Sequence, residues 1–304
     1  MPPTSSTCRW STLCAAARPQ FFPVILLPVA VAVALAHAHG APVAGHVVAL
    51  LVAGGVFAHA GANLLNDVYD HRYGVDDHHP NPLTPYAGGS RFIQDGRCSA
   101  ATIAITGWLC AAAGVAVAGL LAGLAGRDVL PLLILGALGG VAYSAPPLVF
   151  DRRGLGLPLV VLDFGLLPVF LSDRILTGDW RPVVLLPGAA IGLAAATILM
   201  AAEFPDREAD AQGGKRTLVV RLSAQAAGRV LIGLIILSHA AILGSIGLDL
   251  LHPLSAATLI LVPWQLRAAR HSVTTPHLSA PIRCQIIAHA LLALLMIGGA
   301  LLRP

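Results

Sequence analysis

Runs of Ala, Val, Leu, Ile and Gly separated by short polar breaks repeat along almost the whole chain. A helix crossing a bilayer needs about 20 apolar residues, and stretches of that kind fall at approximately 19–38, 43–65, 100–126, 128–147, 155–173, 182–202, 224–247, 249–265 and 284–302. Pro158, Asp163 and Pro168 interrupt the fifth, and Pro253 and Pro263 the eighth. The pattern predicts an all-α polytopic membrane protein, a nine-transmembrane-helix bundle over 19–304 preceded by a flexible arm over 1–18. Two polar loops, at roughly 66–99 and 203–223, each follow an even-numbered span and hint at a duplicated arrangement.

Composition agrees with this picture: 56% of the 304 residues are hydrophobic and 11% charged, against about 25% charged in soluble domains. With the N-terminus on the cytoplasmic side, fifteen of the 19 Lys and Arg residues fall in cytoplasmic loops, and Arg127, Arg174, Arg181 and Arg303 fall on the other side. That asymmetry is the positive-inside signature. It predicts a multi-pass protein of the plasma (inner) membrane with both polar loops in the cytoplasm. The net charge of +4 therefore reads as membrane orientation and not as a nucleic-acid surface. Cys8, Cys14, Cys98, Cys110 and Cys284 lack metal-ligand spacing and predict no disulfide framework. The histidines, including the adjacent His78 and His79, form no zinc motif.

Acidic residues are scarce but concentrated. Eight of the 15 are Asp67, Asp70, Asp76, Asp77, Glu203, Asp206, Glu208 and Asp210, all in the two polar loops. Asn63, Asn66, Asp67 and Asp70 share one helical face if the second span continues to about Tyr73, and Gly74 then ends the helix. In "EFPDREAD", Asp206 and Asp210 lie one turn apart after Pro205, a residue suited to a helix start. Like charges at this spacing repel, and nearness to the membrane raises their cost. Oxygen ligands of this kind suit Mg²⁺, which takes one or two carboxylates and completes its shell with water and phosphate oxygens. Exposed charge runs are often merely solvated, but two matched motifs at equivalent span ends argue for bound cations across a diphosphate. Lys215 and Arg216 in "GGKRT" and Arg91 in "AGGSRF" supply cations beside glycines that let backbone approach an anion. "AYSAPPLVFDRRGLG" adds Tyr143, Ser144, Asp151, Arg152 and Arg153. Asp163 is the one carboxylate expected deep in a span.

These stretches, in order "NDVYDHRYGVDD", "GGSRFIQDG", "AYSAPPLVFDRRGLG" and "EFPDREADAQGGKRTLVVRL", resemble the UbiA superfamily of intramembrane prenyltransferases. The family carries an NDxxDxxxD and a DxxxD motif on nine helices. Here the third Asp of the first motif falls on Gly74, and the next acids are Asp76 and Asp77. That later Asp resembles the branch acting on 1,4-dihydroxy-2-naphthoate in menaquinone biosynthesis. Leu157 stands where an acid often follows the "RGLG" run.

The resemblance implies Mg²⁺-dependent transfer of a polyprenyl group from its diphosphate to an aromatic acceptor, within the lipid bilayer. Asn66, Asp67, Asp70, Asp76, Asp206 and Asp210 would bind metal. Lys215 would join Asp70, Asp206 and Asp210 in catalysis, and Asn63, Arg91, Tyr143, Arg153 and Arg216 would contact substrate. A different acceptor or a terpene cyclase is an alternative with the same site. A cation-coupled transporter is an alternative of another class, and it would place its acids near the membrane midplane.

Overall fold

The structure, a computed structural model, describes residues 8–78 and 82–303; His79 lies outside them. Among the described residues every regular element is helical and there is no strand. After a short helix α1 (Trp10–Ala16) come α2 (Pro23–Ala38), α3 (Gly45–Arg72), α4 (Ala100–Ala125) and α5 (Leu130–Ala142). The next rod joins α6 (Gly156–Val161), a π-helical turn (Leu162–Leu166) and α7 (Leu167–Thr177). Then follow α8 (Leu185–Gln212), the single turn α9 (Leu218–Arg221), α10 (Ala224–Gly247), a 3₁₀ segment (Pro253–Leu261), α11 (Val262–Thr274) and α12 (Ala280–Leu301). Successive long elements run up and down, so the described parts of the connections after α3 (73–78 and 82–99), after α5 (143–155) and after α8 (213–223) gather at one end.

Each of the nine apolar stretches contains helix, but they are not equal. Among the described residues five helices are long and apolar enough to cross a membrane: Gly45–Arg72, Ala100–Ala125, Pro182–Gln212, Ala224–Gly247 and Ala280–Leu301. A sixth arises if Trp10–Phe21 and Pro23–Ala38, bent by 54° at their junction, count as one span. The remaining stretches are shorter or divided, as their prolines foreshadow. The chain is an integral membrane protein with an all-helical bundle.

Two helices are longer than the hydrocarbon core of a bilayer. α3 and α8 each have 28 residues, about 42 Å at 1.5 Å per residue, against a hydrocarbon core of about 30 Å. The excess length of both falls in their polar last turns, which carry the acidic motifs. Pro205 does not start a helix, contrary to the expectation from sequence. It lies inside α8, where the missing N–H frees only one carbonyl, and the helix continues through the acidic motif.

Tight crossings hold the bundle. The π turn packs on α8 at Gly165, where a Cβ would overlap the Gly188 carbonyl oxygen and the Gly192 Cα. Such small-residue crossings replace the hydrophobic drive that lipid removes. The stretch ahead of α2 is also anchored. Cys8 and Cys98 are joined in a disulfide with a Cα–Cα distance of 4.8 Å, correcting the expectation that no bridge forms. The pairing is non-local, across 90 residues, and depends on α1 folding back onto the loop before α4, which cysteine spacing does not encode.

Candidate active site

α3 and α8 end in the same way. Gly74 adopts φ +69° and Gly214 φ +76°, the left-handed conformation that glycine takes without a Cβ penalty. Val75 N–H donates to the Asp70 carbonyl at 2.9 Å and Gly74 N–H to that of His71 at 3.0 Å. Equivalently, Lys215 N–H donates to the Asp210 carbonyl at 2.8 Å and Gly214 N–H to that of Ala211 at 3.2 Å. Both are Schellman caps, and both reverse the chain immediately after an acidic motif. The caps touch: a Cβ on Gly213 would meet Val75 Cγ2 at 2.7 Å. Asp70 and Asp210 thus occupy matching positions on two helix ends that pack against each other.

Side chains from four connections fill the space between these ends. Lys215 Nζ lies 2.8 Å from Asp70 Oδ2 and 3.3 Å from Asp151 Oδ2. Asn66 Nδ2 donates to Asp70 Oδ2 at 3.1 Å and to Ser144 Oγ at 2.9 Å. Arg18 pairs with Asp67, and Asn63 Nδ2 holds the neighbouring backbone by donating to the Ala17 carbonyl at 3.1 Å. The glycine loop comes over the top. Gly88 N–H donates to Asp206 Oδ2 at 3.1 Å, Ser90 N–H to Asp67 Oδ1 at 3.4 Å, and Arg91 to the Asp76 carbonyl at 2.6 Å. Gln94 Nε2 donates to Asp76 Oδ2 at 3.1 Å.

Burial makes this charge balance consequential. Burial opposes the Lys215 charge, but Asp70, Asp151 and Asp210 outweigh it and hold the ammonium pKa well above its usual value. Burial raises the Asp151 pKa, with Lys215 acting against it. Burial, and then the Asp70 and Asp67 charges, push Asp76 up to about 7 against the opposing pull of Lys215 and Arg18. The end of the bundle carries more carboxylate than its own cations comfortably neutralise.

Those carboxylates fit Mg²⁺. Asp67 Oδ2, Asp70 Oδ1 and Glu203 Oε2 are buried without a hydrogen-bond partner, and a buried acceptor left unpaired is costly. Among the described residues no three His, Cys, Asp or Glu side chains converge into a ready cage. Mg²⁺ does not require one, because water and substrate phosphate complete its octahedron.

Below the acids opens a cavity of about 400 Å³. Arg18, Asn63, Asn66 and Tyr143 line its polar end, and Leu121 and Leu132 belong to its apolar wall. A charged head and an apolar tail would therefore meet one continuous surface.

Of the residues singled out in the sequence, Asn63, Asn66, Asp67, Asp70, Asp76, Arg91, Tyr143, Asp206, Asp210 and Lys215 all lie on this end or at the mouth of the cavity. Arg153 and Arg216 do not join them. Both are exposed; Arg153 donates to the Pro147 carbonyl at 2.9 Å, and the Arg216 N–H to the Arg152 carbonyl at 3.0 Å. Arg18 and Glu203 enter the site without having been singled out for it. Glu203 had a signal, since it precedes Asp206 and Asp210 by three and seven residues on one helical face. Arg18 had none, because only the fold of the arm carries it to Asp67.

The UbiA prenyltransferase family profile matches residues 25–295. The chain is 23% identical over 260 residues to the 2-carboxy-1,4-naphthoquinone phytyltransferase of Synechocystis sp., covering 84% of this chain and 81% of that protein. It is 30% identical over 222 residues to the 1,4-dihydroxy-2-naphthoate octaprenyltransferase of Haemophilus influenzae, covering 71% and 69%. Its fold is that of a UbiA homolog from Archaeoglobus fulgidus bound to GPP and Mg²⁺, with TM-score 0.64 at 16% identity, over 95% of this chain and 99% of that one. The matched acidic helix ends, the apolar cavity beneath them and a family profile spanning most of the sequence lead to one conclusion: this chain belongs to the UbiA prenyltransferase family.

Proposed function

We propose that this prenyltransferase transfers a polyprenyl group from its diphosphate to 1,4-dihydroxy-2-naphthoate, the acceptor class in its naphthoate-prenylating relatives. The observation that carries the reading is the presence of buried, unpartnered carboxylate oxygens on α3 and α8 at the same end of the bundle as the Lys215–Asp70 pair, above an apolar cavity. In this reading nine spans cross the plasma membrane with the site in the cytoplasmic leaflet, and residues 1–18 form an arm ahead of a single domain.

Asn66, Asp67, Asp70, Asp206 and Asp210 would hold Mg²⁺, with Asp76 as an outer contributor. The bound metal would stabilise negative charge on the leaving diphosphate. Lys215, fixed by Asp70 and Asp151, adds a pre-positioned positive charge to the same oxygens. Arg91 and the Gly88 and Ser90 amides close over the head group. The bond between prenyl C1 and the diphosphate oxygen breaks with its electron pair on the diphosphate. The electron-rich ring attacks the allylic cation at its carboxyl-bearing carbon, and loss of CO₂ returns the electron pair that restores aromaticity. The cavity wall excludes water that would quench the cation.

Mass spectrometry of the lipid extract tests the reading, after incubation of purified protein and Mg²⁺ with geranylgeranyl diphosphate and dihydroxynaphthoate, hydroxybenzoate or homogentisate. The expected product is the prenylated, decarboxylated naphthoquinol. Diphosphate release with no prenylated naphthoquinol would reject this acceptor.

A further inference from the structure

The cavity contains a carboxylate that neither the diphosphate nor the tail accounts for. Asp163 lies on the π-helical turn Leu162–Leu166 and lines the cavity. Its Oδ1 is shielded and has no hydrogen-bond partner. π turns inside helices occur frequently at functional positions, and an ionisable side chain within a span is costly enough to mark function by default. The facing helix leaves room for it, since a Cβ on Gly139 would overlap the Asp163 carboxylate.

A second unsatisfied polar group shares the cavity. His59 is 8% exposed, lines the same space and has an unpartnered Nδ1. Its ring packs edge-on against Phe164, centroids 5.0 Å apart, and against Phe22 at 5.8 Å. Phe164 follows Asp163 directly, so His59 and Asp163 bound one layer of the cavity.

The depth of that layer identifies what fills it. Gly139 precedes Tyr143 by one turn of α5 and His59 precedes Asn63 by one turn of α3, so the layer lies about 6 Å below the cavity mouth. In the proposed function prenyl C1 adjoins the diphosphate at the cavity mouth, so an attacking ring brought against it would lie at this level. A prenyl tail is hydrocarbon and has no proton to donate to a carboxylate oxygen, whereas the acceptor's phenolic hydroxyl has one. We infer that Asp163, with His59 in the same layer, recognises a phenolic hydroxyl of the aromatic acceptor and so turns the attacking ring carbon toward the prenyl group. The inference rests on the proposed aromatic prenylation and adds the residues that set acceptor specificity.

The test is equilibrium binding of fluorescent 4-hydroxy-2-naphthoate, whose hydroxyl is too far from its own carboxylate to bond to it, and of its 4-methoxy counterpart to the full chain in detergent, without prenyl diphosphate. A hydrogen bond to a charged group predicts that the wild-type protein prefers the hydroxyl ligand by about tenfold or more. Asp163→Leu, similar in size and suited to the membrane, should reduce the preference to about twofold while leaving methoxy-ligand affinity unchanged. His59→Phe, which keeps the ring contacts, should reduce it in the same direction. A wild-type protein that binds neither ligand or does not distinguish them, or an Asp163→Leu protein that keeps the preference, would overturn the inference. Equal loss of both ligands in Asp163→Leu would also overturn it, by assigning Asp163 to architecture. If hydroxyl preference depends on Asp163 but the wild-type protein forms no prenylated naphthoquinol, the acceptor reading fails while hydroxyl recognition stands.

Discussion

Lys215 Nζ lies 2.8 Å from Asp70 Oδ2 across 145 residues of sequence, joining the loop of the second acidic motif to the last turn of the first. Asp70 keeps one oxygen unpartnered and shares Lys215 with Asp151. Replacing Lys215 by Met leaves two buried carboxylates without their cation. Breaking a buried pair in this way costs about 3 kcal/mol or more. Thermal unfolding of Lys215→Met should show a lower midpoint, and diphosphate release should fall by about a hundredfold or more. An unchanged midpoint with unchanged turnover would remove Lys215 from both roles.

Arg18 gives a second test because its partner is deeply buried: the Asp67 side chain is 3% exposed and that of Arg18 18%. Arg18→Gln should destabilise the protein by about 3 kcal/mol, and adding Asp67→Asn should recover part of the loss, as expected of a directly coupled pair. Thermal unfolding of the two single variants and the double variant measures this. Simple additivity would show that the arm is not held through Asp67.

At Gly165 the prediction concerns packing alone. A methyl group there overlaps backbone atoms of Gly188 and Gly192, which cannot rotate aside as a flexible side chain can. Gly165→Ala should cost about 1–3 kcal/mol and lower the yield of folded protein in size-exclusion chromatography. Gly119, where a Cβ would meet nothing within 4 Å, is the control site: Gly119→Ala should behave as wild type.

Metal removal should act at the same place as loss of the acids. Product formation should stop when the purified protein is treated with EDTA and return on addition of Mg²⁺. Activity that persists in chelator after metal stripping would contradict the role given to the carboxylates.

How far the sequence foretold these features depended on the range of the signal. The helical fold and the two acidic ends were readable because their cues are local: runs of apolar residues, carboxylates one turn apart, and Gly74 placed to end α3. Pro205 misled for the same reason, since its local preference for a helix start yields in α8 to the continuous packing of a long apolar helix. Features made by tertiary contact left no local trace. The approach of Arg18 to Asp67 and the pairing of Cys8 with Cys98 both depend on α1 folding back over the α3–α4 connection. Arg153 was singled out by its position in the family resemblance and Arg216 by its place beside Lys215 and the glycine pair; the Arg153 guanidinium instead holds the Pro147 carbonyl of its own loop, and the Arg216 N–H ties its loop to Arg152.

In the proposed function the acidic ends of α3 and α8 form one metal-dependent site. Its most direct test is the rate of diphosphate release from a prenyl diphosphate, with and without Mg²⁺, in wild type, Asp70→Asn, Asp210→Asn and the double variant. Residues acting as a unit are strongly non-additive. Each single variant should therefore lose about a hundredfold or more, and the double variant should be no worse than the poorer single one. Near wild-type release from either single variant in correctly inserted protein, or release that does not depend on Mg²⁺, would contradict the account.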